Sequence, residues 1–307
     1  MPALRPPDVW KSDFTAHALA FLPYAHLIAQ LPKERFPTLE ELNQLSPSIP
    51  HPRTGQAVRF VAQDYHPVDF WARYEPRIFA YGEIQTRSEN WHDYFHALVW
   101  KNFPNAKLAL NARHLHEQGS RQDGQRNRTQ QALTQFDECG ALFITSHERW
   151  IHHLQQHNWE ALFLQERSAW ENEIRVIIFG HATLEQLGQP FMGLTAKAWP
   201  CLVPPPVIQA PLTVLDTVLA THLADLTQWQ TPRDLLPLPI LGIPHWQRHI
   251  RTESKLVLGH WCRTFLADCR TFPVRSVHRT QRTVHHFRVS SEILDQSTNH
   301  CSYQFRS

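Results

Sequence analysis

Between Asn90 and Gly119 the chain spells out two consecutive helices and the break between them. Asn90 is a residue type whose side-chain oxygen accepts from the free N–H groups of a first helical turn. Behind it Trp91, Phe95, Leu98 and Val99 recur at i, i+4, i+7 and i+8, one apolar stripe of a helix reaching to about Phe103. Pro104 cannot donate inside a helix, so it ends the first and starts the next, Asn105–Gly119, which Gly119 closes. A fold built on this pair must bury the stripe and still place the polar groups of TRSENWHDYFHALVW, where two Trp, two His, an Asp, a Glu, an Asn and an Arg crowd together. That density predicts a site or the wall of one.

The same punctuation organises the rest. Pro23 divides the helical spacing of Asp13–Leu31, and Thr38 with Glu41 writes a capping box for Thr38–Leu45. Pro67–Gly82 reads as a helix kinked near Pro76, with Gly82 as its stop, so the first third is helical. Residues 120–131 are a polar loop. ALTQFDECGALFITS (Ala132–Ser146) reads as strand, turn, strand, with the turn at Asp137–Gly140. Helix returns over 147–173, Ile174–Gly180 is a buried strand, and HATLEQLG is a short helix. Pro200–Pro211 and Leu235–Trp246 are extended, flanking an amphipathic helix at Leu212–Leu226. The expected class is α+β, predominantly helical, with a small sheet formed by a β-hairpin and one or more further strands.

Composition excludes several classes. Hydrophobic residues are 42% and charged residues 19%, which is globular. Ten Gly stand against 23 Pro, and neither GxGxxG nor GxxxxGK[ST] occurs, so no Gly-rich phosphate loop is expected. No apolar run is long enough to span a bilayer, and the N-terminus lacks the basic start and cleavage site of a signal peptide, so the expectation is a soluble cytoplasmic protein. Five irregularly spaced Cys fit no disulfide framework, and the long gaps among the tail Cys argue against a zinc site there.

Charge divides the chain. Residues 1–246 hold 20 Lys+Arg and 24 Asp+Glu, net −4, while 247–307 hold 10 and 4, net +6. The expected organisation is one globular domain, 1–246, and a basic Cys/His/Arg-rich tail, 247–307, without lasting helix or strand period. That tail is either poorly ordered or translated out of frame, or it is an arm that binds nucleic acid or a partner.

TRSENWHDYFHALVWKNFPNAKLALNARH, ALTQFDECG, FGHATLEQL and LPILGIPHW, in that order, resemble the bacterial domain-of-unknown-function 3025 family over roughly Phe60 to Trp246. The first segment is specific, and the other three support it by order. The resemblance implies a soluble bacterial protein and carries over no catalytic residue or cofactor. One departure is His96, where the family pattern more often has Asn, which argues against an essential role for it.

Candidate site residues therefore come from the sequence itself. His92 and His96 are i and i+4, on one helix face, a spacing that can hold one metal ion, with Asp93 in the place where HExxH has Glu. The ordinary alternative is that Asn90, His92 and Asp93 serve the helix cap. Lys107, Asn111 and His114 share a face of the second helix and could hold an anionic group, although such a face is more often solvated. Asp137 and Glu138, at the expected turn, offer carboxylates as base or ligand. His181 follows Gly180 at a strand end, with Glu185 one turn on to orient it. The catalytic set is thus His92, Asp93, Asp137 and His181; the ligand-binding set is Asn90, Lys107, Asn111 and His114; no metal or cofactor is assigned. Trp91, Trp100, Trp150, Trp159 and Trp170 are expected in the core.

Two readings follow. One is a hydrolase-like or general acid–base enzyme acting on a small polar or phosphorylated substrate. The other is a non-catalytic protein that binds a small ligand or a protein partner, with nucleic-acid binding through the tail as a third. Convergence of the candidate side chains within hydrogen-bond reach favours the enzyme, and scattered caps favour the binder.

Overall fold

The computed structural model describes residues 7–16, 19–64, 66–119, 125–244 and 246. The 247–307 tail and its expected properties lie outside them. The principal helices are α1 (Leu39–Gln44), α2 (Tyr74–Tyr81), α3 (Trp91–Asn102), α4 (Pro104–Gln118), α5 (Arg128–Cys139), α6 (Glu148–Gln155), α7 (His181–Leu187) and α8 (Leu212–Ala224). The strands are β1 (Arg59–Ala62), β2 (Glu83–Thr86), β3 (Gly140–Thr145), β4 (Ile174–Ile178), β5 (Thr195–Leu202) and β6 (Leu236–Pro239). The class is α+β and mostly helical.

Local signals account for much of this. The Thr38 hydroxyl accepts from Glu41 N at 3.3 Å and the Glu41 carboxylate accepts from Thr38 N at 2.8 Å, so the α1 capping box forms. Asn90 Oδ1 accepts from Asp93 N at 3.1 Å and starts α3. Phe103 ends α3 and begins α4, with Pro104 at the first helical position, where its missing N–H costs nothing. Trp100, Trp150 and Trp159 are buried, and Trp91 and Trp170 pack partly buried against the same core, which runs from Phe14 to Ile243.

The larger sheet has the order β4-β3-β5-β6. β3 pairs antiparallel with β4 and parallel with β5, and β5 pairs antiparallel with β6. All six residues of β3 are buried, as a central strand covered on both faces requires. β1 and β2 form a separate parallel pair connected through α2. Among the described residues no helix is long and apolar enough to cross a membrane.

The structure corrects several expectations. Ala132–Ser146 is not a hairpin: α5 runs to Cys139 and β3 starts at Gly140. Ala132, Leu133 and Phe136 are buried at helical spacing, and an Asn127–Gln130 capping box starts the helix. A short apolar segment reads equally well as strand until its partners are known. The first third also holds β1 and β2, four residues each, too short for alternation to register. Pro200–Pro211 begins inside β5 and contains a helical turn at Pro205–Ile208. β5 tolerates Pro200 because β6 pairs only with Thr195–Ala198, so beyond that point β5 is an edge on that side.

Candidate functional site

Two glycines bring the site together. Phe179 N and Gly180 N both donate to Gly140 O, at 2.9 and 2.8 Å. A Cβ on Gly180 would lie 2.5 Å from Cys139 Cα and from Glu138 O, so only glycine permits this crossing. Asp137 and Glu138 stand just before one strand of the crossing, on the last turn of α5, and His181 just after the other, opening α7. α3 packs on α7 and adds His92 and His96, one turn apart on one face. α4 adds Lys107.

The cluster has two layers. In the outer one His92 Nε2 and His181 Nε2 are 3.0 Å apart, with ring planes at 76°. Glu138 Oε2 lies 3.5 Å from His181 Nε2 and 3.8 Å from His92 Nε2. Behind His92, Nδ1 reaches Glu185 Oε2 at 3.2 Å. The side chains of His92, Glu185 and Glu138 are 28%, 30% and 41% exposed, whereas that of His181 is 4% exposed, so the layer opens to solvent along one edge.

The inner layer is closed. Lys107 Nζ donates to Asp137 Oδ1 at 2.5 Å and to His96 Nε2 at 3.0 Å, and Trp100 Nε1 donates to the same His96 nitrogen at 3.2 Å. A ring nitrogen accepting from an ammonium and an indole carries a lone pair, so His96 is neutral with its proton on Nδ1. The His96 ring packs on His181, centroids 4.6 Å apart.

Burial and charge push the groups in different directions. Burial opposes charge on His92, but the hydrogen bond to Glu185 and the Glu138, Asp93 and Glu185 carboxylates outweigh it and raise its pKa. Burial, with Lys107 beside it, holds His96 well below the ordinary histidine value, and burial takes His181 down to about 3. Burial would raise Asp137, yet Lys107 and His181 bring it below the usual carboxylate value. Burial raises Glu138.

Of the candidates read from sequence, His92, His181, Asp137 and Lys107 come together here. The other four do not. Asn90 is occupied by the cap, and its Nδ2 lies 3.3 Å from Asp8 Oδ2. Asp93 is turned to Arg87, accepting from its N, Nε and Nη2 at 2.6, 3.0 and 2.8 Å. One helical position rotates a side chain by about 100°, which takes Asp93 away from the face of His92. Asn111 Nδ2 donates to Glu75 O at 3.0 Å and Glu75 Oε2 at 2.5 Å, joining α4 to α2. His114 is buried, its ring lowered in pKa by that burial, and its carbonyl accepts from Gln130. Three further residues belong to the cluster. His96 was visible in its spacing from His92. Glu138 is on a helix and not a turn, and Glu185 orients His92 instead of His181, the histidine on its own helix.

Among the described residues two trios could hold a metal ion: His92, Glu138 and His181, and His96, Asp137 and His181, each with its donor atoms within 4.8 Å of one another.

The model of a family described as a protein of unknown function, DUF3025, matches residues 58–254, a span that contains every residue of the cluster. No curated protein and no solved structure matches the chain.

Proposed function

The chain belongs to the DUF3025 family, and from its imidazole–carboxylate cluster we propose an enzyme of hydrolytic, general acid–base type acting on a small polar substrate. The observation that carries this reading is convergence: His92 and His181 meet at 3.0 Å beside Glu138, with Glu185 bonded to the far nitrogen of His92. A base held in one tautomer by a carboxylate behind it is the arrangement that general-base catalysis needs. Glu185 accepts from His92 Nδ1–H and so leaves Nε2 to take a proton from water. His181 Nε2 is placed to share that proton, and the Glu138 carboxylate, 3.5 Å from His181 Nε2, to take it on and pass it to the departing group. The buried Lys107–Asp137–His96 layer holds His181 from behind.

Charge refines the substrate. Lys107 is matched by Asp137, while Glu138 and Glu185 form their described ion pairs with imidazoles only. With His92 neutral, as a general base must be, the open edge therefore carries excess negative charge, which suits neutral or cationic polar groups. A phosphorylated substrate needs that charge neutralised first.

The test is turnover of 4-nitrophenyl acetate and 4-nitrophenyl phosphate by the full chain. His92→Ala is expected to lower kcat/KM on the accepted probe by about 10²–10⁴ with little change in melting temperature, because a part-exposed residue loses little packing. Equal turnover by the variant defeats the assignment. If neither probe turns over, hydrolysis of these ester classes fails and the non-catalytic ligand-binding reading replaces it.

A further inference from the structure

We propose that His92 Nε2, His181 Nε2 and Glu138 Oε2 form a binding site for one divalent transition-metal ion of the zinc class, with Glu185 as the carboxylate that orients His92. The inference deepens the catalytic reading of the same cluster but stands or falls by separate measurements. It begins with spacing. The three donor atoms are 3.0, 3.5 and 3.8 Å apart. Ligands bound tetrahedrally at about 2.0–2.1 Å are separated from one another by about 3.3–3.4 Å. The observed edges bracket that value, so an ion fits among these atoms with shifts of a few tenths of an ångström.

Donor chemistry narrows the ion. Two imidazoles and one carboxylate suit zinc and its first-row neighbours, whereas calcium and magnesium take oxygen ligands. The layer behind His92 fits as well, whereas His181 Nδ1 is buried without a hydrogen-bond partner. A histidine that binds metal through Nε2 ordinarily gives its Nδ1–H to a carboxylate or carbonyl, and Glu185 stands 3.2 Å from His92 Nδ1. Three protein ligands with an edge open to solvent leave a fourth position for water, which is the layout of a catalytic ion and not of a closed structural one.

The second trio shows why the ion belongs to the first. Lys107 already places an ammonium against Asp137 Oδ1 and His96 Nε2. The chain supplies its own cation there. Around His92, Glu138 and His181 no lysine or arginine comes within ion-pair distance among the described residues, Lys107 and Arg126 acting on Glu138 only from further off, although two carboxylates face the imidazoles. A bound dication would balance that charge, and the proposed enzyme would then accept an anionic substrate.

The full chain, purified without a histidine tag and stripped with chelator, is to be titrated with zinc sulfate, and with cobalt chloride to read the visible absorption of a tetrahedral ion. The expected result is a site of about one zinc per chain that is weakened at least tenfold by His92→Ala and by Glu138→Ala. Both residues are part-exposed, so the variants should stay folded, and circular dichroism checks this. Glu185→Gln should weaken binding by about 10–100-fold. Zinc binding that is unchanged in both alanine variants would place the ion elsewhere, on the Cys and His of residues 247–307 for instance, and overturn the proposal. So would the absence of any bound zinc or cobalt. If zinc binds as expected and neither ester is cleaved, the metal site stands and the hydrolytic reading fails. If turnover depends on His92 in chain that binds no metal, the acid–base reading stands and the metal site fails.

Discussion

His181, opening α7, and His222, near the end of α8, are both buried, and burial takes each imidazole down to about 3. Their surroundings differ. His181 meets a second imidazole and a carboxylate delivered by other helices, with an edge of that group open to water. His222 lies against Trp199 and Trp229, ring centroids 4.5 and 5.1 Å away. The same depressed pKa thus accompanies a polar convergence in one place and aromatic packing in the other. A shifted histidine marks burial; a site needs polar atoms from several elements aimed at one point.

That contrast can be broken by experiment. The largest effect is expected from Trp199→Ala, which removes a buried indole beside His222 and should cost about 3–5 kcal/mol in urea denaturation. Zinc affinity of the folded fraction should not change. A loss under about 1 kcal/mol would mean that aromatic packing does not hold the His222 region together. Gly180→Ala comes next. Its Cβ would meet the backbone of Glu138 and Cys139, so a cost of about 1–3 kcal/mol is expected together with weaker zinc binding, because the same shift moves His181 away from Glu138. Unchanged zinc affinity in this variant would show that the glycine crossing does not position the site.

Acid should separate folding from site chemistry. The unfolded chain takes protons on His222 and His114 near pH 6.5, as free histidine does, whereas the folded chain resists until lower pH, near 3 for His222. The unfolded state therefore binds more protons over this window, and stability falls as pH drops from about 6.5, by up to about 1.4 kcal/mol per pH unit for each such histidine. Denaturation curves at pH 7, 6 and 5 measure it, and His222→Phe should flatten the dependence. A slope identical to that of the parent would remove His222 from the account. The smallest effect is expected at Asn90. Loss of its cap in Asn90→Ala should cost about 1 kcal/mol and leave zinc affinity intact, since its bonds run to the α3 backbone and to Asp8. Weakened zinc binding would return Asn90 to the site.

Elements whose cause lies within a few residues were readable before the structure. Asn90 starts α3, Pro104 divides α3 from α4, Thr38 and Glu41 cap α1, and Ile174–Ile178 forms a strand. The caps and the proline break depend on contacts within about four residues, and the strand shows as an apolar run although its partner β3 is distant in sequence. The resemblance to the family was likewise carried by contiguous residues, and the family match includes them. The exceptions lie where local pattern is ambiguous. The sequence of α5 reads equally well as a strand and turn, and β1 and β2 are too short to declare themselves.

The site divides in the same way. By itself the sequence determined that His92 and His96 share a helix face and that His181 opens a helix after a glycine at a strand end, because helical period and glycine's missing side chain are local facts. Only the tertiary structure decided that Glu185 serves His92, 93 positions away in sequence, that His181 meets His92 across 89 positions, and that Lys107 is matched to Asp137. It also sent Asp93 to Arg87, although Asp93 adjoins His92 in the chain. The histidine pairings follow from the Gly140–Gly180 crossing and the packing of α3 on α7, and the Lys107–Asp137 pair from the packing of α4 on α5. Which side chains meet there depends on how distant segments bury their apolar faces together, and short-range pattern does not encode that.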